Sequence, residues 1–352
     1  MSKTADGPLL NLHRKNAQTV LLPRTTSERL AGIELGRIIA CLAVIFIHQN
    51  SNNYGAYYNI REILDFSSRW AVPFFFIFAG YFMPAGTGWL KVSVKYFNRL
   101  FPVFIFWVTA YEAIAGNPFW FLSNSSVILK NMTNGGVGFH LWFLPSLGVC
   151  LAIAAVVRYY FSIKILLLLA VFLYLCGLVN GSYEAAIVDL PFSEVDRSFN
   201  PRNGPFMGLL FVSLGAALRI RLFKSSTLRG LMLIALGVVL SVTEATFLFY
   251  FFNAPISSHN FLIGTVPFGF GIAVLCMSVD IQIPFLAAAI RRIGAVSLGI
   301  YALHMVVLWK VTNLIEPNSL ISGLLTAALT LIIATAGALI GAQIPVLKRV
   351  FC

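Results

Sequence analysis

The sequence predicts an all-α, polytopic integral membrane protein of about ten transmembrane helices with both termini cytoplasmic. Three observations carry this prediction. Of the 352 residues, 59% are hydrophobic and only 11% charged, with a mean hydropathy of +0.84, whereas a soluble domain carries roughly 25% charged residues. The apolar residues fall into runs parted by polar punctuation, as helices crossing a bilayer require. The basic residues, which give a net charge of +12, gather on one side of those runs.

In chain order the runs lie at 33–51, 70–85, 100–115, 140–157, 165–181, 204–218, 230–252, 261–278, 294–311 and 320–347. The second and sixth, and by one residue the third, fall below the 17 or so residues of a straight span. The sixth is nonetheless required by the charge distribution. With ten spans and the N-terminus inside, eighteen Lys and Arg face the cytoplasm and five (Arg61, Arg69, Lys130, Arg197 and Arg202) face outward, while Arg37 and Lys310 lie within spans. Removing a span inverts everything after it and destroys the positive-inside bias. That bias accounts for the basic surplus without nucleic acid as a partner.

Residues 1–31 are expected to form a mobile cytoplasmic tail, and 32–352 one ten-helix membrane domain. The tail lacks the uninterrupted apolar run of a cleavable signal. The longest outer loops are 116–139 and 182–203, the latter collecting Glu184, Asp189, Glu194 and Asp196. Four cysteines sit inside apolar runs and Cys352 is terminal, a pattern with neither a disulfide framework nor a metal-type CxxC pair. No metal is expected.

The first span contains Arg37 and His48, eleven residues apart. At about 100° per residue they return to nearly the same helix face, separated by roughly 16 Å along the axis. Ionisable groups at such depth mark functional sites by default. On the residues alone, Arg37 also reads as a snorkelling anchor, and His48 as a neutral imidazole bonded to a neighbouring helix.

Later spans add further candidates. Arg69 opens the second span, and Lys91, Lys95 and Arg99 precede or open the third; interfacial snorkelling is the alternative for Arg69 and Arg99. His140 and Trp142 open the fourth span, where an aromatic belt is the plainer account. Glu244 lies about fourteen residues into the seventh span, at a depth comparable to His48. It is expected to fix the His48 tautomer or contact the acceptor, against a purely structural hydrogen-bonding role. Tyr301 and His304 share one face of the ninth span. Glu112 and Lys310 read as snorkelling residues, and His13 and His259 as tail and loop residues.

Five stretches then carry a resemblance in fixed order: RIIACLAVIFIH (37–48), RWAVPFFFIFAGYF (69–82), KYFNRLFPVFIFW (95–107), HLWFLPSL (140–147) and IGAVSLGIYALH (293–304). Together they resemble the acyltransferase family 3 membrane proteins that modify bacterial surface glycans. The arrangement is most similar to the compact enterobacterial common antigen type. One departure is Ala79-Gly80, where many relatives have Ser-Gly.

The resemblance implies acyl transfer from acyl-coenzyme A, in the simplest case acetyl-CoA, to a hydroxyl of a lipid-linked or growing glycan in a bacterial plasma membrane. It implies His48 as the central catalytic residue and Arg37 as the donor-binding one. Lys95 and Arg99 are expected to join Arg37 at the donor phosphates, and Arg69, Trp142, Tyr301 and His304 to contact the acceptor. A guanidinium binds phosphate in a bidentate geometry, and an imidazole takes and returns a proton near neutral pH. There is no GxSxG elbow. The alternative is a transporter or flippase for a lipid-linked sugar or acyl donor, with Arg37 and His48 lining a path and no covalent step.

Overall fold

The computed structural model describes residues 27–49, 56–84, 86–187, 200–256 and 259–352. Among these, every regular element is helical. The longer N-terminal elements are α1 (Ser27–His48), α2 (Ala56–Ser68), α3 (Ala71–Tyr81) and α4 (Trp89–Ile114). They are followed by α5 (Ser125–Asn134), α6 (Phe143–Tyr160), α7 (Ile163–Val179), the single turn α8 (Glu184–Ile187) and α9 (Pro205–Arg219). The chain continues through α10 (Thr227–Phe252), α11 (Thr265–Ser278), α12 (Pro284–Gly294), α13 (Ser297–Leu314), α14 (Leu320–Gly341) and α15 (Lys348–Phe351).

Each of the ten expected runs contains a helix. Five stretches are long and apolar enough to cross a membrane, or six if α12 and α13, bent by 64° at their junction, make one broken span. Helices α7, α9 and α11 are apolar but shorter, while α4 has the length but carries Lys91, Lys95, Arg99 and Glu112. The chain is thus a multi-pass α-helical membrane protein.

Three boundaries differ from expectation for one reason: charges mask a helix in a hydropathy reading. Helix α1 begins at Ser27, inside the expected tail; the tail up to residue 26, with His13, lies outside the described residues, as does 188–199 of the acidic loop. The second span starts in α2, whose Arg61, Glu62 and Asp65 interrupt its apolar positions; Tyr58–Tyr81 forms one apolar stretch. Helix α12 occupies a segment read as a loop, with Arg291 and Arg292 in its last turn, where cations oppose the negative helix end. Glu112 does not snorkel but is fully buried at 0% exposure.

Local signals set the helix starts. Ser162, Ser226 and Ser319 cap α7, α10 and α14 through bonds from backbone N–H groups, satisfying donors that a helix start leaves unpaired. Pro205 and Pro284 occupy first turns, where a missing N–H costs nothing.

Helix α9 buries twelve of its fifteen residues, being apolar all round, and packs against α3, α6 and α7. The α3–α9 crossing is close because Gly80 and Gly215 face carbonyls across it: a Cβ on Gly215 would lie 1.8 Å from the Ile77 oxygen. Small residues at such crossings let backbones approach where no hydrophobic force separates lipid from protein. Helix α1 is central, contacting α2, α3, α11, α12, α13 and α14. Its C-terminal end delivers His48, and Gln49 ties that end to α14 through a 2.8 Å bond to the Gly323 carbonyl.

Candidate active site

Three histidines from three elements meet at the end of α1. The His48 ring stacks on His304 of α13 with centroids 5.5 Å apart and planes 21° from parallel. His140, in the turn before α6, lies edge-on to both, its centroid 4.9 Å from His304 and 6.4 Å from His48. Both His140 and His304 are 1% exposed. Phe139 closes on His48 at 5.1 Å.

Two tyrosines lock this arrangement to the backbone. The Tyr301 hydroxyl donates to the His140 carbonyl, and the Tyr111 hydroxyl donates to the Ala302 carbonyl at 2.7 Å. The same Ala302 carbonyl faces His140 Nε2 at 3.4 Å, and the Tyr301 carbonyl faces His304 Nδ1. A carbonyl only accepts, so each of these ring nitrogens carries the hydrogen in the neutral ring. The remaining nitrogens, His140 Nδ1 and His304 Nε2, are then lone-pair acceptors. Both are buried with no hydrogen-bond partner among the described residues. Such unmet groups are costly and few in native proteins, and both lie on rings packed around His48.

A cavity of about 800 Å³ opens beside His48, bordered by Phe139, Trp309, Thr312, Asn313 and Glu316. Arg69 and Arg202 are near enough for their charges to act on His48. Arg202 sits over Trp142, 5.5 Å from the ring centroid, a cation–π distance. Burial, followed by the Arg69 charge, pulls the Arg202 guanidinium down from its usual value, yet a guanidinium stays protonated. Arg69 is held by Asp65 at 2.8 and 2.9 Å and by Asn260 at 3.4 Å. Of the expected acceptor-side residues, Tyr301 and His304 are therefore in direct contact with the histidine cluster, and Arg69 and Trp142 flank it.

Toward the other end of α1, Arg37 donates to both oxygens of Glu34, at 2.8 and 3.1 Å, and lies 5.6 Å from the Phe82 ring centroid. It is roughly 16 Å from His48 along the helix axis. Nearby basic groups are engaged differently: Arg99 donates to the Cys352 carbonyl at 3.4 Å, and Lys95 lies over Tyr96 at 5.9 Å.

The expected bond between Glu244 and His48 is not formed. Glu244 instead accepts from the Tyr183 hydroxyl and from the Ile263 and Gly264 amides, the latter two at 3.0 and 3.2 Å. The carboxylate thus closes the loop that leads into α11. Burial, then the hydrogen bond to Glu244 and its charge, raises the Tyr183 phenol from its ordinary value, keeping it a donor. Counting residues along a span estimates depth but leaves the direction of Glu244 around the bundle open.

Sequence reasoning gave His140 only the plainer account of an interfacial aromatic belt, and missed Arg202 and Glu34 as site residues. His140 had a signal, since it begins HLWFLPSL; Glu34 had one too, three residues before Arg37 on the same face. Arg202 lay in a loop with no local pattern. Among the described residues, no group of three or more His, Cys, Asp or Glu is arranged to hold a metal ion.

A racemase of Enterococcus faecalis, described as "Amino-acid racemase", is 23% identical over 331 residues, covering 87% of this chain and 46% of its own length. A "Serine/alanine racemase" of Enterococcus gallinarum is 26% identical over 235 residues, covering 62% of this chain and 33% of its own. The chain spans less than half the length of these relatives. No solved structure matches. Residues 30–344 match the family model described as "Acyltransferase domain", from the start of α1 to just past α14. The chain belongs to acyltransferase family 3.

Proposed function

We propose that this acyltransferase moves an acyl group, acetyl in the simplest case, from coenzyme A to a hydroxyl of a lipid-linked or growing glycan in a bacterial plasma membrane. The observation that carries this reading is the cluster of His48, His140 and His304 at one end of α1, with His48 lining the 800 Å³ cavity and Arg37 nearer the other end of the helix. The positive-inside bias of the sequence supports a cytoplasmic Arg37 end, where acyl-coenzyme A is found. Arg37, with Lys95 and Arg99, holds the nucleotide phosphates, and the extended pantetheine arm brings the thioester to His48. Arg69, Trp142, Tyr301 and His304 border the acceptor.

A lone-pair nitrogen of His48 takes the proton of the acceptor hydroxyl as that oxygen attacks the thioester carbonyl. The tetrahedral adduct collapses, the carbon–sulfur bond breaks, and the thiolate recovers the proton from His48. The lone pairs of His140 and His304 are suited to receive a hydroxyl hydrogen of the acceptor while charge develops. The racemase names belong to those longer relatives, at 23–26% identity, and are not carried over.

The test is mass spectrometry of surface glycans from a deletion strain complemented with wild-type or His48→Ala protein at matched levels. Acylation restored by the wild type alone is the expected result. A pattern unchanged by both deletion and substitution would turn the assignment toward transport or a non-glycan acceptor.

A further inference from the structure

A second cavity, of about 430 Å³, opens between α2 and α10 beside the loop that leads into α11. Its walls include Ile63, Phe66, Val242 and Ala245, and its volume lies in the range of small-molecule sites, roughly 300–1,000 Å³. The opening is lateral: Ile63 is 65% and Val242 50% exposed, on helices that belong to membrane-crossing stretches. Hydrocarbon can therefore enter from the bilayer.

One polar side chain on this cavity has unmet hydrogen-bonding capacity. His259 is 3% exposed, and neither Nδ1 nor Nε2 has a partner among the described residues. Leaving a buried polar group unpaired costs about 1–3 kcal/mol. Burial, then the Arg69 charge, pushes the imidazole below its ordinary value. The neutral ring offers one donor and one acceptor, which a hydroxyl or a phosphate oxygen can engage. Arg69 borders the same cavity, and its charge reaches both His259 and His48. Arg69 is thus shared electrostatically between this cavity and His48.

We propose that this cavity seats the hydrocarbon chain of the lipid carrying the acyl acceptor, with His259 bonded to an oxygen of its head group. The word acceptor rests on the acyl-transfer reading above; the lipid site does not. The occupant is a long-chain amphiphile, and its two sources, an isoprenoid phosphate and an ordinary phospholipid, are separable by experiment.

The purified protein in nanodiscs is photolabelled with an isoprenoid phosphate bearing a diazirine near its chain end or, separately, with a phosphatidylethanolamine bearing one on an acyl chain. Labelled peptides are located by mass spectrometry. The isoprenoid probe should label α2 and α10 at the cavity. Labelling should fall at least tenfold in Ala245→Trp and in Val242→Trp, and severalfold in His259→Phe, and persist in His48→Ala. Labelling by the phospholipid alone, or labelling unchanged by both tryptophans in folded protein, overturns the assignment. An unlabelled cavity with intact transfer removes the lipid site and leaves the enzyme reading; a labelled cavity in a protein without transfer does the reverse.

Discussion

The imidazoles of His48 and His304 stack face to face at 5.5 Å with no hydrogen bond between them. Stacking leaves the ring edges, where the nitrogens are, free to serve other partners. The Tyr301 carbonyl occupies His304 Nδ1, so His304 Nε2 is the edge left for chemistry. His304→Phe preserves a stacking ring and removes that lone pair. One hydrogen bond to a charged group is worth about 1.5–3 kcal/mol, so transfer should fall roughly 10- to 150-fold, while losing the Nδ1–H bond to the Tyr301 carbonyl costs stability only about 0.5–1.5 kcal/mol. A full rate in single-turnover measurements would reduce His304 to packing.

Glu244 should matter for stability before chemistry. Its carboxylate accepts from Tyr183, Ile263 and Gly264. Glu244→Ala strands two amides and a phenol, at about 1–3 kcal/mol for each one that stays dry. Glu244→Gln keeps an acceptor oxygen and should lie between alanine and wild type. Thermal unfolding in detergent gives the ranking, and acyl transfer well below the transition should remain close to wild type in the glutamine variant. A glutamine variant that melts normally but transfers nothing would restore the expected catalytic role.

The cases of His304 and Glu244 show what could be read from the chain. His48 was legible because an imidazole on an apolar helix is conspicuous, and His304 because it shares a helix face with Tyr301. Apolar runs located a helix in each of ten segments, although only five or six of the stretches are long and apolar enough to cross a membrane, and periodicity fixes height and face along one helix. It does not fix which helices are neighbours. The meeting of His140 with His48, the placement of Arg202 over Trp142 and the turning of Glu244 toward Tyr183 all depend on tertiary packing. Helix α2 was hidden for a local reason: Asp65 and Arg69 look too polar for a membrane until their pairing is seen.

His259 gives stability a pH dependence whose sign follows from its depressed pKa. Below the ordinary histidine value of about 6.5, the unfolded chain binds a proton that the folded chain resists. Stability therefore falls as pH drops through that value toward the lower folded one, by at most about 1.4 kcal/mol per pH unit. His259→Phe removes the group. The variant should lose less melting temperature than wild type between pH 7.5 and 5.5. Equal losses in the two proteins would mean that His259 titrates normally.

Arg37 already holds a carboxylate, and this bears on how a donor would bind. Both Glu34 oxygens lie within 3.1 Å of its Nη1, so a phosphate must share or displace that partner before it gains the guanidinium. Arg37→Ala should raise the KM for acyl-coenzyme A by about 10- to 100-fold, with a smaller change in kcat, because a phosphate far from the thioester is bound alike in ground and transition states. Arg37→Lys should recover only part of the loss, since an ammonium lacks the bidentate fork. Glu34→Gln should act in the opposite direction, lowering the donor KM by freeing the cation and removing a negative charge from the phosphate site. Steady-state kinetics at fixed acceptor measure all three. If Glu34→Gln raises the donor KM as Arg37→Ala does, the pair is a structural clamp between α1 and the α12–α13 bend, where Gly294 packs on Glu34, and the donor phosphates bind elsewhere.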